Sequence, residues 1–170
     1  MTLPDAEQTL AALVERMRGA VAFDARFVGI YSGGAWLADR LARMIPGDHP
    51  VGYIDVSFYR DDFNRTGLKP TVRTSEIPFE VEGATIVLVD DVLYTGRSVR
   101  AAVNELFDYG RPAAIQLAVL IDRGGRELPI EATWAGTRLA VARDVSIVLS
   151  HGADGRLVLS TENAPKAGHA

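Results

Sequence analysis

The chain has 170 residues, of which 48% are hydrophobic and 24% charged, so it is long enough to bury the core of one globular domain. It contains no cysteine, which excludes disulfides, thiolate catalysis and cysteine zinc sites. The formal net charge of −4 argues mildly against general affinity for nucleic acid, although a local basic face is compatible with it. Neither a signal-peptide pattern nor an apolar run of the roughly 20 residues that a membrane helix needs is present, so we expect a cytosolic protein.

The first half of the chain alternates predicted helices with short predicted strands. Four apolar residues recur at helical spacing in the first helix: Leu10, Leu13, Val14 and Met17. We regard this apolar face as a candidate interface for a homo-oligomer, either a dimer or a tetramer. The predicted elements are a helix at 5–17, a strand at 27–31, a tight turn at Ser32-Gly33-Gly34, a helix that ends before Pro46, and a strand at 51–59.

A polar segment at 60–77 interrupts this alternation. It contains Gly67, Pro70 and charges of both signs. A loop of this length inside a compact domain is usually functional or mobile. Part of the segment is also compatible with a hairpin.

The next part of the chain predicts a strand that is buried on both faces. Residues 84–89 form a continuous apolar run, which is typical of such a strand, and the run stops at Asp90 and Asp91. A third helix opens near Thr95 and ends at Gly110, and another buried strand spans 115–121. This order of elements predicts an α/β domain with a mainly parallel sheet flanked by helices.

The C-terminal part is less regular. From 122 to 137 the pattern breaks into short pieces around glycines and Pro129, which we interpret as a small hood over one end of the sheet. Residues 163–170 are polar and small, as is typical of a disordered tail. We therefore predict a single domain over residues 1–162.

Two adjacent carboxylates end the first buried strand. Ligands of open α/β sheets bind at the carboxyl ends of the strands, which is where Asp90 and Asp91 lie. Adjacent carboxylates are costly to bury unless they bind something. Two such acceptors can hold the vicinal hydroxyls of a ribose, and their charge favours the positive charge that builds at C1 as a glycosidic leaving group departs.

A phosphate site is predicted immediately after these aspartates. The segment Tyr94-Thr95-Gly96-Arg97-Ser98 leads into the third helix, and small or hydroxyl residues at a helix N-terminus present free backbone N–H groups to an anion. The alternative is that Thr95 or Ser98 is a plain helix cap and that the two aspartates are solvated. Neither the Walker pattern nor G-x-G-x-x-G occurs in the chain, so P-loop NTPases and classical dinucleotide enzymes fit poorly.

The string from Ile86 to Ser98 resembles the signature with which type I phosphoribosyltransferases bind 5-phosphoribosyl-1-pyrophosphate (PRPP). Further blocks are similar to one family among them, the pyrimidine-operon attenuation regulators with uracil phosphoribosyltransferase activity (PyrR). The blocks cover most of residues 28–136 and lie at 55–62, 90–97, 110–112, 116–124 and 126–130.

The resemblance implies a role for each part of the site. Asp90 and Asp91 would be catalytic residues that hold the ribose hydroxyls, with Mg²⁺ bound mainly to PRPP and only indirectly to them. The implied substrate-binding residues are Thr95, Gly96, Arg97 and Ser98 for the 5′-phosphate, Ser32, Gly33 and Gly34 for pyrophosphate, and Ile121, Asp122 and Arg123 beside the uracil pocket.

Other residues carry more than one interpretation. Residues 60–77 would be a flexible flap that closes over PRPP, and Arg60 is either a third catalytic residue that contacts PRPP or a solvated flap residue. Tyr94 lies where purine-specific relatives carry an acidic general base, and it either hydrogen-bonds a ligand or only packs. Arg123 and Arg126 are compatible with RNA contacts, pocket framework or solvated surface.

The implied reaction joins uracil to PRPP, with Mg²⁺, and gives UMP and pyrophosphate. One alternative is an RNA-binding attenuation protein that senses nucleotides and has weak or vestigial catalysis, and another is a phosphoribosyltransferase for a purine base. The chain departs from the family pattern at Ser32-Gly33-Gly34, where relatives carry Thr-Arg-Gly, and at Gly125, where they carry His. The second departure, together with the few basic residues among the first 24, disfavours mRNA as a partner.

Overall fold

The computed structural model describes residues 1–57 and 74–163 and confirms an α/β fold. Each helix and strand that it contains falls close to a predicted element except in the C-terminal third. The elements are α1 (Ala6–Met17), β1 (Arg26–Ile30), α2 (Gly33–Met44), β2 (Val51–Ile54), β3 (Thr85–Leu93), α3 (Arg97–Tyr109), β4 (Ala114–Asp122), β5 (Trp134–Arg138), β6 (Val145–His151) and β7 (Leu157–Asn163).

The central sheet has five strands in the order β2-β1-β3-β4-β5, and all four pairings are parallel. The chain moves outward from β1 to β2 on one side and from β3 to β5 on the other. The topological switch point therefore lies between β1 and β3, and ligands of such sheets bind in the crevice at the carboxyl ends of these strands.

Strand β3 is apolar throughout its first part because both of its faces are covered. Val87 and Val89 pack in a core layer with residues of α1 and α2, whereas Ile86 and Leu88 pack in a second layer with residues of α3. Successive side chains of a strand point to opposite faces of the sheet, so a continuous apolar run is what a sheet with helices on both sides requires.

The apolar face of α1 is an internal contact, and our prediction that it forms an oligomer interface is wrong. Leu10, Leu13, Val14 and Met17 are between 0% and 3% exposed, and they pack against the sheet and the C-terminal strands. The helix begins after Asp5, whose side chain accepts a hydrogen bond from the backbone N–H of Gln8 at 2.8 Å, as an N-cap does.

The C-terminal third differs most from the prediction. Trp134–Arg138, assigned to the end of the hood, is β5 and pairs with β4 in the main sheet. Strands β6 and β7 form an antiparallel hairpin that the sequence analysis missed. Asn163, placed in the disordered tail, is the last residue of β7, and residues 164–170 lie outside the described part of the chain.

Two strand ends also differ from the predicted ones. Strand β3 continues through Asp90 and Asp91 to Leu93, because Asp90, Val92 and Leu93 still pair with β4. Strand β2 ends at Ile54, five residues before the predicted end. Residues 58 and 59 of the predicted strand lie outside the described part of the chain. Within residues 1–57 and 74–163, the model contains no helix of the length and apolar character that crossing a bilayer requires.

Candidate functional site

The crevice at the switch point lies between the N-termini of two helices on opposite faces of the sheet. Helix α2 follows β1 and helix α3 follows β3, and these strands are direct neighbours. Neither helix has a side-chain hydrogen bond at its N-cap, which is Ser32 in α2 and Gly96 in α3. The first backbone N–H groups of both helices have no partner within the helix, so both can bind an anion in the crevice.

Gly33 and Gly34 bring α2 into direct contact with the carboxyl end of β3. A Cβ on Gly33 would lie 2.5 Å from Asp91 Oδ2, and a Cβ on Gly34 would lie 2.4 Å from the carbonyl oxygen of Val89. Both distances are far below van der Waals contact, so only glycine fits at either position. The prediction of a separate tight turn at 32–34 is therefore wrong, since both glycines belong to the first turn of α2, after a cis Tyr31–Ser32 peptide.

Asp90 and Asp91 are adjacent but differ in their surroundings. Asp90 is 4% exposed, and its Oδ1 accepts a hydrogen bond from the backbone N–H of Asp91 at 2.9 Å. Asp91 is half-buried, and its Oδ1 accepts from the N–H of Val92 at 2.9 Å. The second oxygen, Oδ2, faces Gly33 at the N-terminus of α2, and this places a carboxylate oxygen in the crevice itself.

The segment after β3 turns sharply into α3 through one residue in the left-handed backbone conformation. Gly96 has a φ of 90°, a conformation that favours glycine, and a Cβ there would lie 3.2 Å from Cβ of Ile130. The helix begins at Arg97, two residues after Thr95 and close to the predicted start, and Oγ1 of Thr95 accepts from the N–H of Arg97 at 3.2 Å. Thr95 thus orders the turn, while Gly96 is the N-cap, which is against the interpretation of Thr95 or Ser98 as the cap.

The loop from 123 to 133 lies over this turn. The backbone N–H groups of Glu127 and Leu128 both donate to the carbonyl of Thr95, at 3.0 and 3.1 Å. Arg97 Nε donates to Glu127 Oε2 at 2.8 Å, and both side chains are about half exposed. The turn at 95–98 and the loop after β4 are therefore held together as one wall of the crevice.

Arg126 is the main link between the loop and the strands. Its guanidinium donates to the carbonyls of Ile130 (2.7 Å) and Tyr94 (3.0 Å) and to the carboxylate of Asp122 (2.7 Å). Asp122 is 7% exposed, and its other oxygen accepts from the N–H of Gly124 at 3.1 Å. Among the three interpretations of Arg126, these contacts favour pocket framework.

Arg123 and Gly125 enclose the ring of Tyr94. The guanidinium of Arg123 lies 4.0 Å from the centroid of that ring, and it donates to the carbonyls of Val145 (2.6 Å) and Ala142 (2.8 Å). Arg123 is 5% exposed, so it too is framework. A Cβ on Gly125 would lie 2.4 Å from Cε2 of Tyr94, which shows that the glycine makes room for the ring.

The structure brings most of the predicted site residues together. The three glycine-containing segments at 32–34, 95–98 and 122–125 lie at the ends of neighbouring strands. Ile121 differs from them: its side chain is fully buried in the core layer under α1 and α2, and it pairs with Val92 and Thr137. Arg60 and most of the predicted flap, residues 58–73, lie outside the described residues.

The aspartates fit an indirect role toward a metal ion. Among residues 1–57 and 74–163, no three His, Asp or Glu side chains are grouped so that they could hold a metal ion. One oxygen of Asp91 faces the crevice, and carboxylate oxygens are ligands that Mg²⁺ accepts together with substrate phosphates and water. The residues therefore suit an ion that is held mainly by the oxygens of its substrate.

A sheet with this switch point and this pair of helix N-termini defines an α/β fold with two candidate anion sites, and comparison with known families specifies the class of protein. A family model described as a phosphoribosyl transferase domain matches residues 9–148. Bifunctional protein PyrR of Pseudomonas aeruginosa strain LESB58 is 48% identical over 153 residues, which are 88% of this chain and 90% of that protein. PyrR of Ralstonia nicotianae is 49% identical over 159 residues, or 92% and 91% of the two chains.

The chain therefore belongs to the phosphoribosyltransferases and, among them, to the PyrR family, as its resemblance to that family predicts. Solved structures show the same fold. A hypoxanthine-guanine phosphoribosyltransferase from Bacillus anthracis has a TM-score of 0.65 at 20% identity, over 82% of this chain and 84% of that one. A purine phosphoribosyltransferase from Pyrococcus horikoshii has a TM-score of 0.60 at 26% identity, over 81% and 85%.

Sequence reasoning left the role of Arg126 open and did not single out Glu127 as part of the site wall. Both lie in a block whose resemblance to the family was noted, but their partners, the carbonyl of Tyr94 and the side chain of Arg97, are about thirty residues away. The signal that was available is the buried position of Asp122 at a strand end, because a buried carboxylate needs a nearby cation.

Proposed function

We propose that this protein is a uracil phosphoribosyltransferase that converts uracil and PRPP to UMP and pyrophosphate with Mg²⁺. The observation that carries the proposal is the crevice between α2 and α3, which presents the Asp90–Asp91 pair between two uncapped helix N-termini. PRPP has phosphate groups at both ends of a ribose, and this arrangement offers an anion site on each side of a pair of carboxylates. A cytoplasmic location is part of the same proposal.

Each segment of the crevice takes one part of PRPP in this proposal. The turn at Thr95, Gly96, Arg97 and Ser98 binds the 5′-phosphate, and the N-terminus of α2 from Ser32 to Gly34 binds the pyrophosphate. Asp90 and Asp91 bind the two ribose hydroxyls, and Asp91 orients the sugar with the oxygen that faces the crevice. Arg60 also contacts PRPP in this proposal.

The base lies against the loop that follows β4. Tyr94 provides a ring surface that Arg123 and Gly125 hold in place, and backbone groups of residues 123–125 read the edge of uracil. The side chains of Asp122 and Arg123 support this loop from inside, because their hydrogen bonds are made within the protein. Ile121 contributes only as part of the strand beneath.

The reaction forms a bond between N1 of uracil and C1 of the ribose while the bond from C1 to the pyrophosphate oxygen breaks. The electron pair leaves with pyrophosphate, and the proton on N1 is lost to water. Asp90 and Asp91 stabilise the positive charge at C1 in the transition state, and the helix N-termini position the two phosphate ends. When Mg²⁺ is bound, mainly to PRPP and only indirectly to Asp90 and Asp91, it would supply positive charge that neutralises the leaving pyrophosphate.

A pyrophosphate-release assay with uracil, hypoxanthine, guanine and adenine in turn tests the reaction and the base. We expect release with uracil only, in the presence of PRPP and Mg²⁺. Release with a purine alone would support the proposed PRPP site and contradict uracil as the base. No release with any base, together with binding of UMP or PRPP, would favour a regulatory protein over an enzyme.

Replacement Asp91→Asn tests the site itself. We expect turnover with uracil to fall by about 100-fold, because the crevice loses a charge that stabilises the transition state. Asp108→Asn is the matched control, since Asp108 is exposed near the end of α3, and its rate should equal that of the unmodified protein. An Asp91→Asn protein that folds and reacts at the normal rate would contradict the assigned site.

A second function, the regulation of transcription through mRNA, is supported by the curated relatives, which are called bifunctional. The site disfavours two of its candidate contacts, because Arg123 and Arg126 donate their hydrogen bonds inside the protein. RNA binding, if this function is present, must use other basic residues and should weaken steeply with salt. A filter-binding measurement with pyrimidine-operon leader RNA, with and without UMP, decides the matter.

A further inference from the structure

A second cavity lies on the outer face of α2, away from the crevice. Its volume is about 530 Å³, within the range of about 300–1,000 Å³ that ligand sites occupy. It is bounded by α1, by α2 and by the turn of the hairpin between β6 and β7. None of the residues that line it belongs to the crevice.

The cavity rests on a fixed floor. Arg40 donates two hydrogen bonds to the carboxylate of Glu7, at 2.8 and 2.7 Å, and Glu7 also accepts from the backbone N–H of Leu157 at 2.8 Å. These contacts join α2, α1 and β7 at one point. A cavity whose floor is held by three elements keeps its shape before a ligand arrives, which lowers the cost of binding.

One wall of the cavity is aromatic. The rings of Trp36 and His151 have centroids 4.2 Å apart with an interplanar angle of 39°. Trp36 is half-buried in the first part of α2, and His151 is exposed at the end of β6. Such a pair gives a planar ring a surface on which to stack, as nucleic-acid bases do on aromatic side chains.

The same cavity contains two further arginines, of which Arg156 lies close enough to Glu7 to interact with its charge. Trp36, Arg40 and Arg43 follow at i, i+4 and i+7 on one face of α2, and Arg156 comes from the hairpin turn. Within residues 1–57 and 74–163, the guanidinium groups of Arg43 and Arg156 make no hydrogen bond and no ion pair. Guanidinium groups with free donors are suited to phosphate.

The acidic residues of the lining are already engaged. Asp39 accepts from the hydroxyl of Tyr53 at 2.5 Å, and Asp154 accepts from the N–H of Arg156 at 3.1 Å. Glu7 is neutralised by Arg40. Three carboxylates and three arginines line the cavity, so an anion has to be selected by the local donors of Arg43 and Arg156 rather than by an excess of positive charge.

We propose that this cavity is a second small-molecule site and that it binds a free nucleotide, with the base stacked on Trp36 and His151 and the phosphate held by Arg43 and Arg156. The chain contains two tryptophans, Trp36 and Trp134. In a Trp134→Phe protein, the fluorescence of Trp36 alone reports occupancy of the cavity. Suitable probes are AMP and UMP, with adenosine and inorganic phosphate as the two halves of the ligand.

We expect both nucleotides to quench Trp36 with saturation, and adenosine and phosphate to bind at least about tenfold more weakly. Arg43→Gln/Arg156→Gln should weaken AMP binding by about tenfold or more, since two charge-assisted contacts are lost. The control Arg18→Gln/Arg111→Gln removes two exposed arginines elsewhere and should leave binding unchanged. Asp91→Asn in the crevice should also leave it unchanged.

Three results would overturn the proposal. The first is an absence of saturable quenching by AMP and UMP up to about 10 mM. The second is equal affinity in the Arg43→Gln/Arg156→Gln protein, which would show that the arginines do not bind the phosphate. The third is loss of quenching by AMP in Asp91→Asn, which would assign the signal to the crevice. Each result is independent of whether the protein transfers phosphoribosyl groups to uracil.

Discussion

Arg126 connects three separate parts of the site through one side chain. Its three hydrogen bonds reach the end of β3, the end of β4 and the far side of the loop. Only a planar group with several donors in fixed directions can make these contacts together. The position of the loop over the crevice therefore depends on this guanidinium more than on any other contact of the loop.

Arg126→Lys should destabilise the protein by about 2 kcal/mol, because the nearly buried carboxylate of Asp122 loses its close partner. We also expect the KM for uracil to rise more than kcat falls, since the loop no longer holds its position. Urea unfolding and steady-state kinetics measure the two effects.

The matched control is Arg138→Lys, at a residue that also faces Asp122. Arg138 is 65% exposed and lies 3.7 Å from that carboxylate, so its replacement should change stability by less than about 0.5 kcal/mol. Equal effects of the two replacements would show that stability depends on a positive charge near Asp122 and not on the three hydrogen bonds of the Arg126 guanidinium.

Residue identity alone predicted which side chains gather at the site but not what each one contacts. Asp90, Asp91 and the segment 95–98 were predictable because the end of an apolar run is visible in the sequence. The role of Gly125 was not predictable from the sequence. A glycine is needed there because a Cβ would lie 2.4 Å from Cε2 of Tyr94. Contacts between loops depend on packing that no local pattern records.

At the scale of elements, the decisive contact is the one between α2 and β3. Gly34→Ala would place a Cβ 2.4 Å from the carbonyl oxygen of Val89 and 3.0 Å from Cα of Asp90. Both neighbours are backbone of a paired strand, so helix α2 has to move. We expect a loss of about 1–3 kcal/mol of stability and a rise in the KM for PRPP, measured by thermal unfolding and by pyrophosphate release.

Ser32→Ala separates this steric effect from helix capping. Ser32 is the N-cap of α2, and its side chain makes no capping hydrogen bond, so its replacement should leave the melting temperature nearly unchanged. If both replacements were equally destabilising, the close approach of α2 to β3 would not be the cause.

The elements that the sequence analysis missed differ in the strength of their local signals. The hairpin of β6 and β7 has apolar residues at alternate positions, with Ile147, Leu149 and Leu157 buried, and an Asp-Gly turn between them that is typical of hairpins. Strand β5 is short and contains Gly136 and a buried Ala135, so neither its length nor its composition predicts a strand. Its place is fixed by pairing with β4.

At the scale of the whole molecule, Glu7 ties the N-terminal helix to the rest of the fold. The hydrogen bonds from Arg40 and the N–H of Leu157 lower the pKa of Glu7 from 4.5 to about 2. Because the folded pKa lies below the unfolded one, the stabilisation is complete above pH 4.5 and is lost as the pH falls towards 2. We estimate its size at about 2 kcal/mol, since the pair is partly screened by solvent.

Glu7→Gln should therefore lower stability at neutral pH and flatten the acid limb of the stability curve. Urea unfolding at a series of pH values between about 6 and 2 measures both. Glu15→Gln is the control, because Glu15 is 70% exposed and pairs only with the exposed Arg18, so a small change is expected. An acid limb of unchanged steepness in Glu7→Gln would contradict this account.

In the proposed site, the parallel order of the sheet also separates the recognition of the sugar phosphate from that of the base. The segments proposed to bind PRPP follow β1 and β3, whereas the loop proposed to lie beside the base follows β4, and Arg126 joins the end of β3 to this loop. Specificity for the base can therefore change in evolution, or be redesigned, through substitutions in one surface loop of about ten residues. The two helix N-termini that face the crevice would remain unchanged while the enzyme accepts a different base.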